Sequence, residues 1–340
     1  MLTARITAPF TIDFPEKPIP KVEAGKVLLK IKYLGICASD IQIYHGKHKY
    51  VKFPLTMGHE ASCEIVAVGE GVEGFRVGDH VVVEPQLTCG VCPACRRGRF
   101  NVCESLKVIG VHTDGMAAEY FLISPENLHL LPEGLDMKKA ALIEPLAVGF
   151  GSVRRAGDVT GANVAVVGAG TIGCFTAQAA KALGAAHVLL TDIVDKKLDI
   201  ARACGVEYCV NTRESSLKQA VSEYFGDEGA DVIIDCAATP FVFGQMIEAA
   251  RTNSVIIITG NYKDDVTLEM PLIQRREISV IGHMMYVRRE FEDAIRFLAD
   301  GSIKTESVIS MSCPLSDYSA AFEYIDAHSN EVMKVIMEVG

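Results

Sequence analysis

The pattern of apolar and polar residues changes along the chain, and the change predicts two domains of different architecture. Across residues 26–85, short apolar runs alternate with polar positions and are separated by turn glycines, as in KVLLKIKYLGIC and EIVAVGEGVEGF. A period of two residues is typical of half-buried strands. This part of the chain therefore predicts an antiparallel β domain.

Residues 136–155 are rich in alanine and other apolar residues, and they predict one helix that carries Glu144. Beyond this helix, strands and helices alternate, which predicts a parallel sheet with helices on both faces. The predicted strands are 164–167, 187–191, 207–210, 231–235, 254–259 and 278–281, and the predicted helices include 196–203, 217–225, 241–250 and 289–299. A last strand at 332–339 is expected to return to the N-terminal β domain.

Three glycines follow the first of these parallel strands. Gly168, Gly170 and Gly173 have the G-x-G-x-x-G spacing, which permits a tight turn, a close backbone approach to a pyrophosphate and close packing of helix on strand. The helix N-terminus that follows favours an anion. Asp192 ends the next strand, where a carboxylate accepts hydrogen bonds from the ribose hydroxyls and repels a 2′-phosphate. The pattern predicts NAD rather than NADP; a glycine-tolerant turn in another α/β domain is the alternative.

Composition and charge narrow the class of partner. The 340 residues suffice for two domains, since single cores stop growing near about 250 to 300 residues. A net charge of −10 argues against nucleic acid or an anionic membrane as a partner, and it favours a small-molecule substrate. The first ten residues lack the apolar core of a signal peptide, and no long apolar run occurs. We therefore expect a cytoplasmic protein.

Four of the eleven cysteines lie in one short segment. Cys89, Cys92, Cys95 and Cys103 form C-x2-C-x2-C-x7-C among glycines, prolines and polar residues. Four thiolates suit a tetrahedral zinc ion that stabilises the fold and leaves no position for catalysis. An iron–sulfur cluster has related spacings, but nothing else in the sequence provides for electron transfer.

A second set of potential ligands is dispersed along the chain. Cys37 lies in GICASD, His59 and Glu60 lie in GHE, and Glu144 lies in IEPLAV. A thiolate, an imidazole and a carboxylate can hold zinc and leave its fourth position open. Singly, these residues have ordinary alternatives as a core thiol, a hydrogen-bonded core histidine, a surface charge or a helix-face carboxylate. Their combination favours a second zinc site.

The order of these motifs resembles the zinc-dependent medium-chain dehydrogenases over essentially the whole chain. The order is Cys37-x-Ser39-Asp40, Gly58-His59-Glu60, the four-cysteine lobe, Glu144-Pro145 and the glycine motif. Glu144, where simple alcohol dehydrogenases usually carry cysteine, indicates the sorbitol or polyol branch. Residues 108–115, VIGVHTDG, are similar to bacterial sugar-acid dehydrogenases of the galactonate type.

The resemblance implies an α/β protein of two domains with two zinc ions per chain. A GroES-like β-rich catalytic domain would comprise residues 1–147 and 285–340, with the structural zinc lobe at 89–103. A Rossmann NAD-binding domain with a doubly wound parallel sheet would comprise residues 148–284. In that family the substrate binds between the domains, and we expect a homo-oligomer, either a dimer or a tetramer.

The resemblance also assigns roles around the catalytic zinc. Cys37 and His59 would be ligands, with Glu144 or Glu60 as the third, and Asp40 would orient His59. Ser39 would hydrogen-bond the substrate hydroxyl and pass its proton outward. In the second domain, Ile172 would back the nicotinamide, while Asp192 and Lys197 would hold the ribose.

Two departures from the family pattern bear on function. Gln42 stands where many relatives place a histidine that relays the proton to solvent, and Tyr44 or His45 is expected to replace it. The arginine–tyrosine pair that sorbitol dehydrogenases present to the polyol appears here as Met285-Tyr286. We therefore expect a substrate other than plain sorbitol.

These observations predict a zinc-dependent oxidoreductase that transfers hydride from a secondary hydroxyl of a polyol or sugar-derived substrate to NAD. A sugar-acid or L-threonine dehydrogenase of the same family is the alternative in substrate. A zinc-free reductase of the same superfamily would lack these metal residues. A non-catalytic NAD-sensing protein is a further alternative, disfavoured by Ser39 and the complete ligand set.

Overall fold

The computed structural model describes all 340 residues, which form two compact units. The first, the β-rich unit, comprises Met1–Glu144 and Ile309–Gly340, and the second, the Rossmann unit, comprises Pro145–Val308. No helix in either unit combines the length and the apolar character that crossing a bilayer requires.

The β-rich unit begins with short strands interrupted by three short helices. The strands are β1 (Arg5–Ala8), β2 (Thr11–Asp13), β3 (Val27–Ile36), β4 (Leu55–Thr56), β5 (Glu60–Val68), β6 (His80–Val83), β7 (Gln86–Leu87), β8 (Lys107–Val108), β9 (Tyr120–Ile123) and β10 (Leu128–Leu130). The helices are α1 (Ala38–Tyr44), α2 (Pro93–Arg96) and α3 (Met137–Ala140), with 3₁₀ turns at Phe100–Val102 and Pro125–Asn127.

The single helix predicted at 136–155 is wrong, because the structure has two helices there. Asp136 caps α3 by accepting hydrogen bonds from the backbone N–H groups of Lys138 and Lys139. The second helix, α4 (Ile143–Arg154), begins two residues before Pro145. A proline has no N–H to donate, so it suits a first helical turn and prevents α3 from continuing. Glu144 consequently lies in the first turn of α4.

The Rossmann unit alternates strands with helices. Its strands are β11 (Asn163–Val167), β12 (His187–Asp192), β13 (Tyr208–Asn211), β14 (Ala230–Asp235), β15 (Ala250–Ile258) and β16 (Ser279–Gly282). Its helices are α5 (Thr171–Ala182), α6 (Asp195–Ala203), α7 (Leu217–Phe225), α8 (Pro240–Ala249), α9 (Met270–Arg275) and α10 (Arg288–Ala299), with 3₁₀ turns at Gly226–Glu228 and Glu306–Val308. All neighbouring strands pair in parallel, in the order β13-β12-β11-β14-β15-β16.

Helix α10 belongs to the Rossmann unit, although residues 285–340 were expected in the catalytic domain. Phe297 of α10 stacks on Phe150 of α4 with ring centroids 5.2 Å apart, and Arg154 donates to Asp293. This packing joins α10 to α4. The chain therefore passes from one unit to the other after residues 144 and 308, whereas the expected domain boundaries followed residues 147 and 284.

The chain then returns to the β-rich unit through β17 (Ile309–Pro314), a 3₁₀ turn at Leu315–Asp317, α11 (Tyr318–Ala327) and β18 (Lys334–Glu338). Strand β18 lies between β3 and β17 in a seven-stranded sheet of order β10-β6-β5-β3-β18-β17, with β9 also paired to β3. The smaller sheets are β2-β1-β4 and β7-β8. The predicted class, a β-rich domain with a parallel doubly wound domain, is confirmed.

Candidate active site

Two neighbouring strands bring the dispersed ligands together. Cys37 directly follows β3 and precedes α1, while His59 directly precedes β5. Strands β3 and β5 are antiparallel, with Gly35 opposite Glu60, so these three side chains meet at one end of the pair. One ligand atom each from Cys37, His59 and Glu60 lies within 4.8 Å of the others. The structure thus assembles three of the four predicted catalytic ligands in one cluster.

Gly35 leaves the space that the Glu60 carboxylate occupies. A Cβ atom on residue 35 would lie 2.1 Å from Glu60 Oε2, closer than any real contact. A side chain at this position would push the carboxylate out of the cluster.

Asp40 connects the start of α1 with the histidine. Its Oδ2 accepts a hydrogen bond of 2.9 Å from the Cys37 N–H, which caps the helix, and its Oδ1 lies 3.7 Å from His59 Nδ1. Ser39 Oγ lies 3.5 Å from His59 Nε2. His59 is therefore flanked by a carboxylate on Nδ1 and a hydroxyl on Nε2, the two groups that the resemblance assigned to its orientation and to proton transfer.

The cluster is largely buried, and the groups around His59 are acidic. Burial lowers the pKa of His59, but the Asp40 carboxylate and the Cys37 thiol outweigh it, with a further contribution from Glu144, so the pKa lies well above its usual value. A negative field of this kind also stabilises a divalent cation. Because thiolate, imidazole and carboxylate are the donors that zinc accepts, the residues present fit this metal.

Lys334, at the start of β18, neutralises Glu60. Its Nζ donates to both Glu60 carboxylate oxygens at 2.7 Å and to the Ile36 carbonyl at 3.0 Å. The Glu60 side chain is 0% exposed and that of Lys334 is 4% exposed. Burial lowers the pKa of Lys334, but Glu60 raises it more, so the amine stays charged.

Glu144 is buried close to this cluster without being part of it. Its charge raises the pKa of both His59 and Lys334. Glu60 and Glu144, the two candidates for the third ligand, therefore differ in their hydrogen bonds. Both carboxylate oxygens of Glu60 accept from the Lys334 ammonium group.

The two residues expected to replace the relay histidine have other contacts. Tyr44 is buried, and its ring stacks on Phe322 with centroids 4.6 Å apart, so it provides no path to solvent. His45 Nε2 lies 2.9 Å from Asp326 Oδ2. Of the two, only His45 remains near the surface.

The four-cysteine lobe also has a metal-binding geometry. The sulfur atoms of Cys89, Cys92, Cys95 and Cys103 all lie within 4.8 Å of one another. Backbone N–H groups point at them, as from Cys92 to Cys89 Sγ at 3.4 Å and from Cys95 to Cys92 Sγ at 3.5 Å. The apolar cluster of the lobe consists of three of these cysteines with Ala94 and Leu106. An apolar cluster this small is typical of a lobe whose fold is stabilised by a structural metal.

The glycine motif adopts the expected turn between β11 and α5. Gly168 has φ +97°, and Gly170 is the N-cap of α5. A Cβ on residue 173 would lie 1.7 Å from the Gly168 carbonyl oxygen, so a glycine is required there for the helix to pack on the turn. The free N–H groups of the helix thus face the carboxyl edge of the sheet, where a pyrophosphate binds in such folds.

Asp192, the predicted ribose ligand, also stabilises this turn. Its Oδ2 accepts from the Ala169 N–H at 2.7 Å, and its Oδ1 accepts from the N–H groups of Ile193 and Val194 at 2.7 and 2.9 Å. Each carboxylate oxygen has two lone pairs, so both on Oδ1 are occupied and one on Oδ2 remains as an acceptor for a ribose hydroxyl. Ile172 and Lys197 are half-buried in the first turns of α5 and α6, at this same edge.

Sequence reasoning missed Lys334, and it did not establish the setting of Tyr286. Lys334 lies 274 residues from Glu60, and its only local signal is a lysine inside the apolar run VMKVIM. Tyr286, considered in relation to the polyol, is 1% exposed and packs on Phe291. Its ring belongs to the core of the Rossmann unit.

Comparison with known proteins identifies the family. Residues 23–133 match the alcohol dehydrogenase GroES-like domain, and residues 171–300 match the zinc-binding dehydrogenase family. The chain is 34% identical to a 2-dehydro-3-deoxy-L-galactonate 5-dehydrogenase of Pseudoalteromonas atlantica, covering 93% of this chain and 92% of that one. It is 32% identical to a sorbitol dehydrogenase of Bacillus subtilis, covering 94% and 92%.

A solved structure shows the same architecture. Galactitol-1-phosphate dehydrogenase from Escherichia coli superposes with a TM-score of 0.93 at 30% identity, covering 99% of this chain and 100% of that one. These similarities confirm the predicted family and enzyme class, and they give no support to an NAD-sensing regulatory protein. The chain therefore belongs to the zinc-containing medium-chain dehydrogenases, and it is an oxidoreductase whose cofactors are zinc and NAD.

Proposed function

We propose that this enzyme oxidises a secondary hydroxyl of a polyol or sugar-derived substrate at the cluster of Cys37, His59 and the neighbouring glutamates. The observation that carries the proposal is the approach of Cys37, His59 and Glu60 to within 4.8 Å of one another, with the Ser39 hydroxyl beside them and the Glu144 charge acting on His59. Relatives that act on sorbitol, on a galactonate derivative and on galactitol 1-phosphate support this class of substrate.

Cys37, His59 and Glu144 are proposed as the direct ligands of the catalytic zinc, because Lys334 holds both oxygens of Glu60. Zinc supplies a Lewis acid there, which favours loss of the hydroxyl proton near neutral pH. Asp40 holds His59 in orientation through the side of the ring that faces away from Ser39. Cys89, Cys92, Cys95 and Cys103 are proposed to bind the second zinc.

Ser39 is proposed to relay the proton of the substrate hydroxyl, accepting it on Oγ while its own proton passes to the next acceptor, since Oγ lies 3.5 Å from His59 Nε2. With Gln42 in place of a histidine and Tyr44 buried, His45 is the residue that we propose for the next transfer toward solvent. In the Rossmann unit, the glycine turn is proposed to bind the pyrophosphate, Asp192 and Lys197 the ribose, and Ile172 the nicotinamide.

The test is NADH formation, followed by absorbance, with a panel of polyols, aldonates, sugar phosphates and L-threonine. Substrate-dependent NADH formation that a chelator abolishes, and that added zinc restores, supports the proposal. Turnover that survives complete removal of zinc contradicts it. A preference for L-threonine would support the alternative in substrate within the same family.

We also propose a homo-oligomer, either a dimer or a tetramer, that works in the cytoplasm. All eleven cysteines are free of disulfides, as a reducing compartment requires. Sedimentation equilibrium measures the assembly, and fractionation of the source cells measures the compartment.

A further inference from the structure

A basic loop joins the two segments that carry Cys37 and His59. It begins after α1, whose first turn contains Ser39, and it ends at β4, two residues before Gly58. Lys47, Lys49 and Lys52 are exposed in this loop, and Tyr50 is 74% exposed. In a chain with a net charge of −10, three lysines within six residues form a local excess of positive charge.

His48 lies in the middle of this loop. Burial lowers the pKa of the His48 ring, with smaller contributions from His112 and His59. Its Nδ1 is buried without a hydrogen-bond partner, and its ring centroid lies 6.1 Å from that of Tyr50. The exposed Tyr50 ring therefore lies against His48 within the loop.

The turn at residues 108–115, singled out for its similarity to sugar-acid dehydrogenases, contributes His112 to the same surface. Its ring centroid lies 6.2 Å from that of Tyr50. His112 Nδ1 accepts a 3.0 Å hydrogen bond from the Val108 N–H, so the neutral ring carries its proton on Nε2 and presents a donor there.

Backbone hydrogen bonds fix this turn to the segment that leads to His59. Gly115 N–H donates to the Thr56 carbonyl at 2.7 Å, and Met116 N–H donates to the Gly58 carbonyl at 2.9 Å. The His112 donor is consequently held in position relative to the metal cluster, rather than on an independent loop.

Acidic groups near this surface are already engaged. His45 pairs with Asp326, and Asp114 accepts from the Thr56 N–H at 2.9 Å. Residues 45–54 contain three lysines and no acidic residue, so the loop itself carries a positive charge.

We propose that Lys47, Lys49, Lys52, Tyr50 and His112 form a recognition subsite for an anionic end group, a carboxylate or a phosphate, of the sugar-derived substrate. The inference rests on the proposed function and narrows its substrate class. The lysines attract and bind the anion, His112 donates a hydrogen bond to it, and the Tyr50 ring packs against the carbon chain. A neutral polyol gains nothing from the lysines.

The first experiment compares three substrates of one chain length with the zinc- and NAD-loaded enzyme: sorbitol, galactonate and galactitol 1-phosphate. We expect kcat/KM for one of the two anions to exceed that for sorbitol at least about 10-fold at low salt, and the advantage to shrink as ionic strength rises. The preferred anion distinguishes carboxylate from phosphate. Sorbitol as the best substrate, with no salt dependence, overturns the subsite and leaves the proposed function standing. Oxidation of none of the three overturns both.

The second experiment removes the charges. The triple variant K47Q/K49Q/K52Q is expected to lower the ratio of kcat/KM for the preferred anion over sorbitol about 10-fold, since each exposed charge contributes a few-fold. His112→Ala is expected to lower the same ratio. Lys218→Gln, an exposed lysine on α7 of the Rossmann unit, is the matched control and should leave the ratio as it is.

A triple variant with the wild-type ratio overturns the proposal. If that variant also changes the size of the oligomer in sedimentation, the lysines belong to a subunit contact instead. Circular dichroism and zinc content of each variant establish that a changed ratio comes from the folded, metal-loaded enzyme.

Discussion

Replacing Lys334 by methionine tests how the buried Glu60 carboxylate is held. The substitution keeps an unbranched, apolar side chain of similar length but removes the ammonium group. Glu60 then loses two 2.7 Å hydrogen bonds while its side chain stays 0% exposed. Breaking a buried pair in this way leaves an uncompensated charge, so we expect a loss of about 3 to 5 kcal/mol in the free energy of unfolding.

Two further variants separate the charge from the change in shape. Glu60→Gln combined with Lys334→Met removes both charges, and it should recover most of the lost stability because no unpaired ion remains. Lys138→Met breaks another lysine–glutamate pair of the same unit, with Glu338 at 2.9 Å, whose side chains are 32% and 50% exposed. That exposed pair should contribute less than about 1 kcal/mol.

Urea unfolding of the zinc-loaded enzyme measures these differences. The chain contains no tryptophan, so far-UV circular dichroism is the appropriate signal. The reasoning is refuted if Lys334→Met lowers the free energy of unfolding no more than Lys138→Met does. It is also refuted if Glu60→Gln/Lys334→Met is less stable than Lys334→Met alone. Zinc content, measured on the same samples, shows whether the released Glu60 moves onto the metal.

Three other predictions concern the cofactors. Asp192→Ser should weaken NAD binding and relax the bias against NADP, and it also removes the carboxylate that accepts from the Ala169 N–H. Steady-state kinetics with NAD and with NADP test this prediction. Faster turnover of the wild-type enzyme with NADP than with NAD contradicts it. Metal analysis should find about two zinc ions per chain. Cys95→Ser should lose one zinc ion and stability, whereas His59→Ala should lose one zinc ion and activity. A single zinc ion per chain, or iron, contradicts the assignment of two zinc sites. Glu144→Gln should lower kcat/KM at least about 100-fold, roughly 2.7 kcal/mol, whereas Glu60→Gln should match it only if Glu60 is the direct ligand. Near-normal turnover with full zinc in Glu144→Gln would remove Glu144 as a ligand.

The parts of the fold that the sequence predicted well are those whose determinants lie close together in the chain. Gly168, Gly170 and Gly173 act within one turn, and the β-branched runs on either side define strands buried on both faces. The four cysteines of the lobe likewise lie within fifteen positions, 89 to 103. In these segments local geometry determines the structure.

The remaining features depend on contacts between distant segments. Lys334 meets Glu60 because β18 pairs with β3, and no local pattern specifies that pairing. The placement of α10 depends on the stacking of Phe297 on Phe150, which a hydrophobic period alone does not reveal. The break between α3 and α4 could have been predicted from the sequence, because a proline such as Pro145 is tolerated in the first turn of a helix but not in its interior.

The position of β18 in the sheet also determines the order in which the two units can be completed during synthesis. Strands β3 and β5, the second of which begins at Glu60, leave the ribosome early, whereas β18 follows the entire Rossmann unit, Pro145–Val308. Until β18 arrives, residues 33–36 of β3 lack a partner strand on that edge and Glu60 lacks its ammonium partner. The β-rich unit, whose synthesis begins first, is therefore the last to complete its fold. The Rossmann unit can fold before residue 334 of the β-rich unit has been synthesised.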